Sequence, residues 1–277
     1  MIDTNAAIDA MKTRTWPFFV LTLGFTLIVQ SPAVLVRYGV LHGEVNDFMG
    51  LVALGALGPM IVGLLLSRSP RGGARAVMRS LLAWRVAPYW YPVAIFGLAG
   101  VYIVGRGTYG LFVSTDLPWL YPPSKPEYVI AMFMFPFVEE IGWRGYALPR
   151  LQLRYGALTA SLLLGIGWAL WHTMMFLVSS SSPLVFLVGC VNIVVGSFAF
   201  TWLYNRTQGS LLLALLLHMG AHIHNPSHAV PDITPLLVQT VALAVVMTVL
   251  VVVDRRAWSP PLPALPGERP LFITGSL

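Results

Sequence analysis

The sequence predicts an all-α fold, a polytopic integral membrane bundle of about eight transmembrane helices. Three observations carry that expectation. The 277 residues are 57% hydrophobic and only 10% charged, with a mean hydropathy of +0.75, whereas soluble domains carry about 25% charged residues. Apolar stretches recur at the ~20-residue length that crosses a ~30 Å hydrocarbon core. The cations fall between those stretches and not on one face or arm, so the net charge of +6 points to membrane lipids as partners and away from nucleic acid. A single cysteine, Cys190, excludes an internal disulfide and any cysteine-based metal cluster.

In order, the first expected span is 16–36, closed by Arg37 and read as retained because no cleavable small-residue site follows it. The second is 48–66, followed by Arg68, Arg71, Arg75, Arg79 and Arg85, with Gly72 and Gly73 as a break. The third, 89–105, is headed by Tyr89, Trp90 and Tyr91 in the manner of an interfacial aromatic belt. A Pro-rich loop is expected over 106–127. The fourth and fifth spans are 128–151 and 157–178, separated from the sixth, 184–204, by a serine loop and Pro183. The seventh is 210–224 and the eighth 233–253. One helical domain over 1–257 results, and the Pro-rich 258–277 is expected to be unstructured, since its prolines cannot continue a helix.

Eight spans place both termini on one side. With that side inside, Lys12, Arg14, Arg68, Arg71, Arg75, Arg79, Arg85, Arg144, Arg150, Arg154, Arg206, Arg255, Arg256 and Arg269 are internal, against Arg37, Arg106 and Lys125 outside. That asymmetry predicts cytoplasmic termini in a bacterial-type cell membrane.

Within this frame the fourth span is anomalous, because it holds Glu139, Glu140 and Arg144. An ionised side chain at the bilayer centre costs ~2.5–3.5 kcal/mol on insertion scales. At 1.5 Å per residue, Glu139 lies roughly 18 Å from the inner end of its helix, His172 roughly 22 Å along the next, and His218 and His222 roughly 12 and 18 Å into the seventh. Three helices thus bring ionisable groups to one depth, the pattern of an interior functional site. Glu140 and Arg144 are spaced i,i+4 with the acid first, the favourable order for a helical ion pair. Glu139 lies about 100° around the helix, out of line with the guanidinium, and is the candidate general base. A packing network of the three is the alternative. His172, between two indoles, reads by itself as a packing residue. His218 and His222 share a helix face, which suits either a bridge to a neighbouring helix or two ligands of one metal ion. His42, His224 and His228 read as outer-loop residues.

The run Glu139-Glu140-Ile141-Gly142-Trp143-Arg144 resembles the EExxxR motif of the CPBP intramembrane proteases, the CAAX protease and bacteriocin-processing (Abi) family. Trp168 and His172, with three residues between them, resemble its aromatic-xxx-His motif, and His218 to His222 its HxxxN motif. The resemblance covers roughly 132–225 and implies a protease core at about 128–225. It implies a membrane endopeptidase that cleaves a peptide or lipidated protein. Carried over by position, Glu139 and His172 activate water, with Glu140 and Arg144 in support, and His218 and residue 222 stabilise the oxyanion. Position 222 departs from the family pattern: it is histidine where asparagine is usual. With His172, His218 and a glutamate, His222 would complete a set of zinc-type donors. The resemblance therefore leaves two cofactor readings, none required or one zinc ion, and the reading adopted is Glu-activated water without an obligatory ion. Two other classes stay open: a non-catalytic membrane scaffold or immunity protein, and a proton- or ion-coupled transporter. The buried acids argue against the first, and the absence of a repeated half with broken helices against the second.

Overall fold

The computed structural model describes residues 15–67, 73–113, 125–179, 182–223 and 233–259, and contains no strand among them. Helix α1, Thr15–Arg37, agrees with its expected span to within a residue at each end. The second span is broken. A 3₁₀ turn, Val45–Phe48, leads into α2, Met49–Ala56, and α3, Gly58–Leu66, starts after Leu57. The cause is Pro59, which has no N–H to offer the carbonyl of Gly55 four residues back. Thr26 of α1 supplies that bond instead, its hydroxyl donating to Gly55 O at 2.9 Å, and Gln30 donates to Val52 O at 2.7 Å. The indole of Trp171 in turn donates to the Thr26 hydroxyl at 2.8 Å.

Helix α4, Gly73–Ser80, is short and amphipathic, burying Ala76 and Val77 and exposing Arg75 and Arg79. Arg68 and Arg71 lie outside the described residues. Helix α5 runs Trp90–Phe112, beyond the expected end at 105. Arg106, expected in an outer loop, is fully buried inside it. A charge marks the edge of a span only when it must reach water, and this one is enclosed by protein. The rest of the expected 106–127 loop lies mostly outside the described residues.

Helix α6, Pro126–Gly142, passes through a π-helical turn, Trp143–Ala147, into α7, Leu148–Ser179. As one rod, the 54 residues of Pro126–Ser179 would reach ~80 Å. They do not form one rod. Gly156 has φ 76° and ψ 171°, a combination essentially reserved to glycine, and the chain reverses there. The reversal is proved by a 2.7 Å hydrogen bond between Glu139 and Trp168, 29 residues apart. The expected spans at 128–151 and 157–178 are these two legs.

Helix α8, Pro183–Arg206, is capped by the Ser182 hydroxyl, which accepts from Val185 N. Helix α9, Leu211–Ala221, is capped by Ser210 and ends at His222, short of the expected 224. Its 11 residues cover only ~16 Å, too little to cross the hydrocarbon core. Helix α10, Ile233–Val253, has the expected bounds. The tail was expected to begin at Trp258, but Arg255–Trp258 forms a last turn, α11. There the Trp258 indole donates to Leu250 O at 3.1 Å and packs on Phe198. Residues 260–277 lie outside the described residues, as do His224 and His228.

Among the described residues, six helical stretches are long and apolar enough to cross a membrane, the fourth being the folded pair. The protein is a polytopic integral membrane bundle. Helix α7 packs between α1 and α8, α9 lies against α5 and α6, and α10 covers α5 and α8. Helix α6 approaches α3 backbone to backbone at Gly142, where a Cβ would run into the Pro59 carbonyl. That contact seats the carboxylate-bearing turn in the core.

Candidate active site

The two glutamates end α6, where the π turn begins. Such turns widen the helix by one residue and occur often at functional sites. Glu139 is 5% exposed and Glu140 fully buried, yet they face different surroundings.

Glu140 is fixed from two sides. Arg144 Nη1 donates to its Oε1 at 2.8 Å, the i,i+4 pair expected from the spacing, and His218 Nδ1 lies 2.8 Å from the same oxygen. The Arg144 guanidinium sits in the corner between two nearly perpendicular rings, 4.1 Å from the centroid of Trp168 and 3.9 Å from that of Phe200. Such contacts gain strength when desolvated. The ion pair is therefore held by position as well as by charge.

Glu139 points the other way. Its Oε2 accepts from Trp168 Nε1 at 2.7 Å, and the residue lines a cavity of about 440 Å³ together with His172, His218 and His222. The carbonyl of Trp168 lies 2.9 Å from His172 Nδ1. A carbonyl only accepts, so Nδ1 carries a proton, and in the neutral form of the ring the basic lone pair is on Nε2. Trp168 thus orients both the acid and the imidazole. His218 and His222 stack at 5.3 Å, and His218 meets Trp168 and Phe200 edge-on.

All six residues singled out in the sequence converge, in two layers. Glu139, His172, His218 and His222 border the cavity, and Glu140 with Arg144 lies behind them. A zinc ion needs several donors aimed at one point. Among the described residues no group of three His, Cys, Asp or Glu side chains is placed to hold one.

Residues 122–224 match the family model described as type II CAAX prenyl endopeptidase Rce1-like. The matched segment holds Glu139, Glu140, Arg144, His172, His218 and His222. The CAAX prenyl protease 2 of Methanococcus maripaludis is 30% identical over 126 residues, which are 43% of this chain and 46% of that protein. The chain thus spans about half the length of that relative.

The matched segment does not build the cavity alone. Tyr102 from α5, and Leu236 and Gln239 from α10, complete its wall, and they lie outside the matched segment. Sequence reading missed this side. The signal was present in Asn192 and Gln239, carboxamides in the interiors of apolar helices, but neutral amides stand out far less than acids in such a context.

Proposed function

We propose that the protein is an intramembrane endopeptidase of CAAX-processing type, with both termini cytoplasmic, hydrolysing a peptide bond of a prenylated or otherwise lipidated protein substrate. One observation carries the reading: Glu139 and the histidines His172, His218 and His222 open onto one cavity, with the Glu140–Arg144 pair locked behind. Peptide hydrolysis needs water at a depth where lipid supplies none, and such a cavity can hold it.

In this reading a water sits between the Glu139 carboxylate and His172 Nε2. Glu139 takes a proton as the water oxygen bonds to the substrate carbonyl carbon. General-base action of this kind is worth about 10²–10⁴-fold. The carbonyl oxygen becomes an oxyanion facing His218 and His222. With Nδ1 held by Glu140, His218 donates to the oxyanion from Nε2 as an imidazolium, whose charge the Glu140 carboxylate balances. One such donor is worth roughly 10²–10³ in rate. The proton held by Glu139 then passes to the leaving nitrogen as the C–N bond breaks, giving an acid and an amine. No step calls on an obligatory metal ion.

The test is cleavage of a prenylated CAAX peptide by purified protein in lipid nanodiscs, followed by mass spectrometry. Glu139→Gln should lower the rate by about 10²–10⁴-fold with the melting temperature unchanged. Undiminished cleavage by that variant would refute the reading.

A further inference from the structure

The part of the cavity lining that α5, α8 and α10 supply carries polar chemistry that the proposed hydrolysis does not use. Tyr102 Oη donates to Asn192 Oδ1 at 3.2 Å, Asn192 Nδ2 donates to Thr240 Oγ1 at 3.1 Å, and Thr240 Oγ1 donates to Leu236 O at 2.7 Å. This chain ties α5, α8 and α10 together. It engages both ends of the Asn192 amide and so fixes its orientation. It also fixes the rotation of α10, and the residue beside Thr240 is Gln239.

Gln239 is 5% exposed and lines the cavity. Among the described residues its amide makes no hydrogen bond. That amide opens onto the cavity, on a helix outside the matched segment. We propose that Gln239 is a substrate-binding residue that pairs with the main chain of a peptide lying in the cavity. The chemistry selects that ligand. A carboxamide presents one acceptor and one donor group side by side, the complement of the N–H and C=O that an extended peptide offers. A prenyl chain has no use for either group, and a carboxylate would use only the donor. The proposal rests on the peptidase reading for its ligand class, and it places Gln239 in the lining of the same cavity as Glu139.

The experiment measures binding without turnover. A fluorescent farnesylated CAAX peptide is titrated into Glu139→Gln protein in nanodiscs, with and without Gln239→Met. Gln239→Met should weaken binding roughly tenfold. Methylating the backbone nitrogen of one peptide residue should cost the Gln239 protein a similar factor and cost the Gln239→Met protein nothing more. Equal affinity of the two proteins, or losses that simply add, overturns the proposal. Should Gln239→Met fail to fold, the methylation series on the Gln239 protein still decides: uniform tolerance of every methylated position overturns it. If Glu139-dependent cleavage occurs without any dependence on Gln239, this inference alone fails. Gln239-dependent binding of a peptide that is never cleaved removes the peptidase reading and leaves the subsite. Absence of binding to either protein overturns both.

Discussion

Trp168 Nε1 donates to Glu139 Oε2 at 2.7 Å, so the side chain that orients the acid is an indole on the neighbouring leg of the same folded stretch. Trp168→Phe keeps a ring over Arg144 and deletes the donor. Hydrogen bonds to charged groups are worth about 1.5–3 kcal/mol, so kcat/KM should fall by about 10- to 150-fold with little change in Tm. A variant that melts early but cleaves normally would show that the bond serves packing alone.

The buried Glu140–Arg144 pair should behave as a unit. Removing one member of such a pair costs about 3–5 kcal/mol, because the other is left charged and buried. Arg144→Met should therefore lower Tm sharply in detergent. The double variant Glu140→Gln with Arg144→Met should recover part of that loss. If the two losses were additive, the residues would be independent and the electrostatic account wrong.

His222 ends α9 and stacks on His218. Its proposed part is hydrogen-bond donation to the oxyanion, which asparagine performs equally well. His222→Asn should keep most of the cleavage rate, while His222→Ala should lose about 10²–10³-fold. Equal loss in both variants would mean that position 222 needs an imidazole, which reopens a role in ligating an ion.

Metal dependence has its own measurement. Protein dialysed against a strong zinc chelator should cleave the peptide at an unchanged rate. Loss of activity that added zinc restores would sink the metal-free mechanism.

The sequence disclosed most where a single physical rule governs. Helices α1 and α10 followed from length and apolarity, and their bounds agree to within a residue. The acids and histidines were legible because charge in an apolar helix is expensive wherever it lies. Arg106 was misplaced by the same rule, since it is enclosed by protein within α5 and does not mark a water-facing edge. The break at Leu57 was written in Pro59, but the surrounding apolarity concealed it. The role of Trp168 depends on a fold-back at Gly156 that brings residues 29 apart into contact, and no local pattern encodes that distance.

The relay from Trp171 through Thr26 to Gly55 begins on the helix that carries His172 and ends at a carbonyl that Pro59 leaves unserved. Two of its three members precede the matched segment at 122–224. The matched segment is therefore not a transplantable module. Grafted onto other helices, it would lose the hydroxyl that accepts from the Trp171 indole, and the tryptophan next to the cavity's imidazole would be free to turn. Exchange of segments between relatives should succeed only when the N-terminal helices travel with the core.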